Sequence, residues 1–276
     1  MLRTRVATAS VLLAVAIGAL VWSSAAFAVV VTALLGLALT EWLQLIGTAR
    51  SVSMIVALIV CAALLAVVFA PSNTIDAVVL PLSVAAAAIW LMIAAVLVQP
   101  SAMTRRLPRI LGMVLAVVLV LAAWFALMRF LSQGVLMLLS VLSIVWIADT
   151  AAYFVGRAFG RRKLAPHISP GKTWAGVVGA ILAVLIVAFI IWQFIPAARI
   201  YSSDLFATIG PAFALLLLAL LVASSIVGDL FESLLKRQAG VKDSGQLLPG
   251  HGGVLDRLDA MVPVLPSAAV IQWLIR

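Results

Sequence analysis

Residues 174–195 read Trp-Ala-Gly-Val-Val-Gly-Ala-Ile-Leu-Ala-Val-Leu-Ile-Val-Ala-Phe-Ile-Ile-Trp-Gln-Phe-Ile, 22 positions without a charge. A helix needs roughly 20 such residues to cross the hydrocarbon of a bilayer. The apolar residues run on without the period-2 alternation of a barrel strand, so the stretch reads as a transmembrane helix. Working outward, similar runs occupy 6–22, 25–45, 52–70, 76–98, 108–132 and 134–155 before it, and 208–230 and 259–275 after it. The last is short, and the first two are parted only by Ser23 and Ser24, which demands a tight turn. The whole chain is 66% hydrophobic and 10% charged, where a soluble domain carries about 25% charged residues. The expected fold is therefore an all-α polytopic bundle of about nine transmembrane helices, forming one integral membrane domain over residues 1–276.

The net charge is +9. In a soluble protein this would suggest nucleic acid, but here the basic residues lie between apolar runs and follow the positive-inside rule. With the amino terminus inside and the spans alternating, fifteen of the 18 basic residues fall inside, and only Arg129, Arg199 and Arg276 fall outside. One miscounted early span would destroy that split. Arg3, Arg5 and the Ala26-Phe27-Ala28 triplet also mimic a signal peptide, but a retained first helix explains the same pattern. Cys61, the lone cysteine, lies in an apolar run and reads as packing. One cysteine and two histidines cannot close a structural zinc site.

Two inside loops are long, 156–173 and 231–258, and the chemistry is expected on that face. Six of the nine acids flank or lie in these loops: Asp149, Asp229, Glu232, Asp243, Asp256 and Asp259. Glu41, Asp76 and Asp204 are the others. An acid at the bilayer centre costs about 2.5–3.5 kcal/mol on insertion scales, so such a concentration points to function. Asp256 and Asp259 are three apart, and Asp229, Ser233 and Lys236 recur at four and three, spacings that share a helical face. Carboxylates on neighbouring helices grip hard cations such as Mg²⁺. Glu232 and Lys236, four apart, read instead as an ion pair.

The stretch 240–253 holds five glycines and a proline, which let the backbone approach an anion closely. Lys242, Arg237 and Arg257 add positive charge suited to phosphate. Ser169-Pro170-Gly171-Lys172-Thr173 invites a P-loop reading, but Pro166 stands where that motif needs its first glycine and no strand is expected before it. A helix starting near Thr173 would still offer free N–H groups to phosphate beside Lys172. Arg161, Arg162 and Lys163 read as a membrane-surface basic run. His167 reads as an interfacial loop residue, and His251, set between glycines, as a candidate ligand contact.

Residues 233–259, SLLKRQAGVKDSGQLLPGHGGVLDRLD, resemble the signature of the phosphatidate cytidylyltransferase family, with Ser, Lys-Arg, Lys-Asp, Pro, His-Gly-Gly and Asp-Arg-x-Asp in place. Gly228-Asp229, the segment 148–176 and Glu41-Trp42 extend the likeness. The resemblance implies a homodimeric enzyme of a bacterial-type cytoplasmic membrane that makes CDP-diacylglycerol from CTP and phosphatidate with Mg²⁺, with room for a second cation such as K⁺. It divides the chain into amino-terminal spans, 1–132, and catalytic spans, 133–276, with the active site facing the cytoplasm.

It implies that Asp229 and Asp256, joined by Asp259, bind metal. It further implies that Asp149, Ser169, Lys172, Thr173, Lys236, Arg237, Lys242, Asp243, Ser244, His251, Gly252 and Gly253 surround the substrates. Asp229, Asp256, Lys172, Lys242 and Arg257 are expected to carry the catalysis. The chemistry needs no general base, because a phosphate monoester is largely dianionic at pH 7 (second pKa about 6). The barrier is repulsion between two phosphates, to be met by positioning and charge neutralisation. Two other readings are an enzyme for a different lipid phosphate and a transporter. The second lacks the internal repeats and midplane site expected of one.

Overall fold

A computed structural model describes every residue except Met1, Pro71, Ser72, Arg105, Pro196, Ala197, His251 and Arg276. The helices are α1 (Leu2–Trp22), α2 (Ser24–Leu45), α3 (Arg50–Val68), α4 (Asn73–Leu97), α5 (Arg109–Ser132), α6 (Val135–Phe159), α7 (Trp174–Phe194), α8 (Tyr201–Ala239), α9 (Leu255–Leu258) and α10 (Met261–Leu274). Among the described residues seven of them, α2 to α8, are long and apolar enough to cross a membrane. The chain is thus a polytopic membrane helical bundle. Of the first and last expected spans, α1 has 21 residues. α10 has 14 residues, about 21 Å at 1.5 Å per residue, which is short of the roughly 30 Å hydrocarbon core.

Local signals set the breaks. Ser23 accepts the Ala26 N–H at 3.0 Å and starts α2 immediately after α1 ends. Inside α8, Gly210 takes φ 75° just before Pro211, so the element bends between its first turns and its long second part. At its far end Gly240, φ 73°, caps α8 in the left-handed region.

Long-range polar contacts sort to two ends of the bundle. At one end Arg129 meets Asp76 at 3.0 Å, and Gln133 and Gln272 exchange hydrogen bonds of 2.9 and 2.8 Å. At the other lie the ends of α2, α6 and α8 and the start of α9. In the apolar core between, Trp124 Nε1 donates to Thr32 Oγ1 at 2.8 Å, joining α5 to α2. Helices α6 and α7 approach closely because a Cβ on Gly179 would strike Val155 at 2.6 Å, the small-residue contact that membrane helices use for association.

Both long loops prove shorter than expected, because α6 continues to Phe159 and α8 to Ala239. Helical hydrogen bonding outlasts the apolar run. The stretch 160–173 is also ordered: β1 (Lys163–Ala165) pairs antiparallel with β2 (Ser169–Thr173).

Candidate active site

At the polar end a cleft of about 810 Å³ opens between α6, α7, α8, the hairpin and α9. That is within the size range of small-molecule sites. Its wall carries six carboxylates, Asp149, Asp229, Glu232, Asp243, Asp256 and Asp259, and five cationic side chains, Arg157, Lys163, Lys172, Lys236 and Arg257. By these formal charges the wall is negative by one.

Two lysines link the carboxylates. Lys172 Nζ, from β2, lies 2.5 Å from Asp229 Oδ2 on α8. Lys236 Nζ sits between Glu232 Oε2 at 2.6 Å and Asp256 Oδ1 at 2.7 Å. Ser233 Oγ donates to Asp229 Oδ1 at 3.4 Å. The expected Glu232–Lys236 pair is therefore present, yet Glu232 does more. One oxygen each of Asp229, Glu232 and Asp259 lie within 4.8 Å of one another. Glu232 is 3% exposed, and its Oε1 has no hydrogen-bond partner among the described residues. A buried carboxylate oxygen without a partner is costly, and three converging oxygen donors suit a hard divalent cation.

Of the three expected metal ligands, Asp229 and Asp259 lie in this cluster together with Glu232. Asp256 stands one lysine away, and its Oδ2 accepts the N–H groups of Ser244 at 3.1 Å and Gly253 at 2.8 Å. Burial opposes its ionisation, but the side-chain contacts of Glu232 and Lys236 and the Gly253 N–H outweigh it. They pull Asp256 down to about 2, so it faces Lys236 as an anion.

A missing side chain brings Asp229 and Asp259 together. A Cβ on Gly228 would collide with the Asp259 carbonyl and reach Pro263 Cγ at 2.7 Å, so only glycine lets α8 lie this close to the α9–α10 joint. Asp256 and Asp259 keep the three-residue helical spacing expected of them, the Asp259 N–H donating to the Leu255 carbonyl at 2.9 Å, and α10 begins two residues after Asp259.

The remaining expected residues divide. Ser169, Lys172, Lys236, Asp243, Asp256, Arg257 and Asp149 line the cleft. Thr173 lines it too, but its Oγ1 accepts the Gly176 N–H at 3.1 Å, capping α7. The expected helix start is thus in place. Arg237 is turned away, with Nε donating to the Ile168 carbonyl at 3.4 Å and holding the hairpin. Lys242 is exposed on the loop and is not part of the cleft wall. Ser244, Gly252 and Gly253 lie behind Asp256 rather than on the wall, and Gly252 takes φ 83°. His251 lies outside the described residues. Glu41, which the sequence ties to the family likeness without a role, accepts through Oε2 from Ser244 Oγ at 2.9 Å and Leu255 N–H at 2.8 Å. Its place as an acid near the end of an apolar span was the available signal.

Comparison with known proteins gives the family. Residues 3–275 match the cytidylyltransferase family. The chain is 37% identical over 280 residues to a phosphatidate cytidylyltransferase of Pseudomonas aeruginosa, covering 99% of this chain and 97% of that one. It is 48% identical over 134 residues to the Haemophilus influenzae protein of that name, covering 49% of this chain and 44% of that one. For the Brucella suis protein of that name the figures are 46% over 132 residues, 48% and 43%. The last two alignments thus span less than half of those relatives. On the match along nearly its whole length, this chain belongs to the cytidylyltransferase family and is a membrane-embedded nucleotidyltransferase.

Proposed function

We propose that the cleft transfers the cytidylyl group of CTP to the phosphate of phosphatidate, giving CDP-diacylglycerol and pyrophosphate, with Mg²⁺ held by Asp229, Glu232 and Asp259. The full-length relative's name supports the substrates. The observation that carries the site is the buried carboxylate trio with its unpartnered Glu232 oxygen. Oxygen-only donors suit Mg²⁺, and the bound ion supplies positive charge against phosphate oxygens.

The chain's own residues do the rest. Lys172, Lys163, Arg157 and Arg257 line the wall on which two phosphate-bearing substrates must meet, and they offset the repulsion that sets the barrier. Asp256 fixes the ammonium of Lys236 in place. A phosphatidate oxygen, already anionic near neutral pH, attacks the α-phosphorus. The bond to the β-phosphate bridging oxygen breaks, and pyrophosphate leaves.

The split of basic residues supports a cleft that faces the cytoplasm, and the bacterial relatives support a bacterial cytoplasmic membrane. CTP then enters from water while the acyl chains stay in lipid. Homodimeric assembly and a second cation such as K⁺ rest on the family resemblance.

Reconstituted enzyme given radiolabelled CTP, phosphatidate and Mg²⁺ should form CDP-diacylglycerol, and another lipid phosphate should serve poorly. Asp229→Asn and Asp259→Asn should each lower the rate at least ~10²-fold, as loss of a principal electrostatic element does. Wild-type turnover by either purified variant would remove it from the metal site.

A further inference from the structure

Glu41 is outside the cleft wall and on the second helix, yet it is 4% exposed and bound to the segment that leads into Asp256. Burying a carboxylate is expensive unless donors meet it. Both of its donors meet the same oxygen. Oε2 accepts from Ser244 Oγ at 2.9 Å and from the Leu255 N–H at 2.8 Å, while Oε1 has no hydrogen-bond partner among the described residues. The carboxylate is also wedged between two glycines: a Cβ on Gly245 would collide with Oε1, and one on Gly253 with Oε2. Both ends of the 244–255 loop are thereby tied to one side chain of α2.

From there a continuous set of contacts reaches the cleft. The Asp256 N–H donates to Ser244 Oγ at 3.3 Å. The N–H groups of Ser244 and Gly253 hold Asp256 Oδ2, and Asp256 Oδ1 holds Lys236, which meets Glu232.

We infer that Glu41 is a positioning residue for cytidylyl transfer, setting the 244–256 loop from the amino-terminal helices so that Asp256 and Lys236 stand at a fixed place in the cleft. The inference rests on the function proposed above. It makes Glu41 an acceptor, not a required charge. A glutamine whose carbonyl takes the Oε2 position keeps both hydrogen bonds and puts its amide where Oε1 has no partner, whereas a leucine keeps the bulk and loses both.

The test measures kcat and KM for CTP and phosphatidate on full-length enzyme in lipid, with Glu41→Gln, Glu41→Leu, Ser244→Ala and the Leu/Ala double variant. Glu41→Gln should stay close to wild type. Glu41→Leu should lose ~10- to 100-fold, mostly in kcat, as a displacement of about 1 Å costs. Ser244→Ala should lose part of this, and the losses in the double variant should be less than additive, since the two residues share one hydrogen bond. Undiminished kcat in Glu41→Leu, a Glu41→Gln as impaired as Glu41→Leu, or fully additive losses would each overturn the inference. Should Glu41→Leu fail to fold, Glu41→Gln and Ser244→Ala decide alone: an impaired Gln or an unimpaired Ala overturns it. A wild-type enzyme that makes no CDP-diacylglycerol would instead overturn the proposed function, and the positioning role with it.

Discussion

Replacing Gly228 by alanine tests the cation cluster without touching a carboxylate. The added Cβ would lie 2.7 Å from Pro263 Cγ, closer still to the Asp259 carbonyl, and ordinary contact begins at 3.4 Å. The α8 helix and the 259–263 segment must therefore open by about 0.7 Å or more, and Asp229 moves away from Asp259 with them. Misplacement of about 1 Å at a reacting centre can cost ~10²-fold, and each factor of ten is 1.36 kcal/mol of barrier. The expected loss is ~10- to 100-fold in kcat, or about 1.4–2.7 kcal/mol. Stability should change less, because about 1–3 kcal/mol of overpacking is offset by roughly 1 kcal/mol of helix propensity gained over glycine. The assay is the initial rate of CDP-diacylglycerol formation against Mg²⁺ concentration, beside a thermal melt in the same lipid or detergent. Gly228→Ala should need more Mg²⁺ for half-maximal rate while melting near wild type. Gly18→Ala, at a position with open space around it, is the control. Wild-type rate and wild-type Mg²⁺ dependence in Gly228→Ala would refute the cluster, because the two carboxylates cannot separate and still share an ion unchanged.

Lys172→Ala removes the ammonium 2.5 Å from Asp229. It should raise the KM for CTP about tenfold or more, the scale of one charge-assisted hydrogen bond, and an unchanged CTP dependence would take Lys172 out of the nucleotide site. Orientation can be read by labelling. In a Cys61→Ala background, Gln246→Cys should react with a membrane-impermeant maleimide only after spheroplasts are permeabilised, and Arg199→Cys should react before. Both native residues are exposed, so the reverse pattern would turn the bundle over and place the cleft on the wrong side for CTP.

The helices were legible because bilayer thickness imposes one length on every apolar run, and 174–195 meets it without a charge. The same signal misled about the ends. Hydropathy reports where hydrocarbon stops, while α8 keeps its hydrogen bonds for nine residues beyond position 230, to Ala239. Lys236 thus stands on the helical face that its spacing from Asp229 and Ser233 implies, although hydropathy alone assigns 231–258 to a loop. The hairpin was illegible for another reason: Lys163–Ala165 has three residues, too few for an alternating pattern, and its partner strand begins only after a turn.

In the site, spacing along one helix was informative and contact between helices was not. The i, i+4 relation gave the Glu232–Lys236 pair, which is present at 2.6 Å. It could not reveal that Glu232 also faces Asp259, because that meeting depends on how closely α8 packs at Gly228. Asp229 and Asp256 both read as metal ligands, while in the structure the Ser244 and Gly253 N–H groups hold one oxygen of Asp256 and Lys236 meets the other. Glu41 was the hardest to see, since its hydrogen bond to Leu255 closes a separation of 214 residues. A glutamate that ends an apolar span has no local reason to be there, and each hydrogen bond it makes spans more than two hundred residues. In a chain with only nine acids, the acid that sequence context explains least is therefore the one whose partners should be sought farthest along the chain.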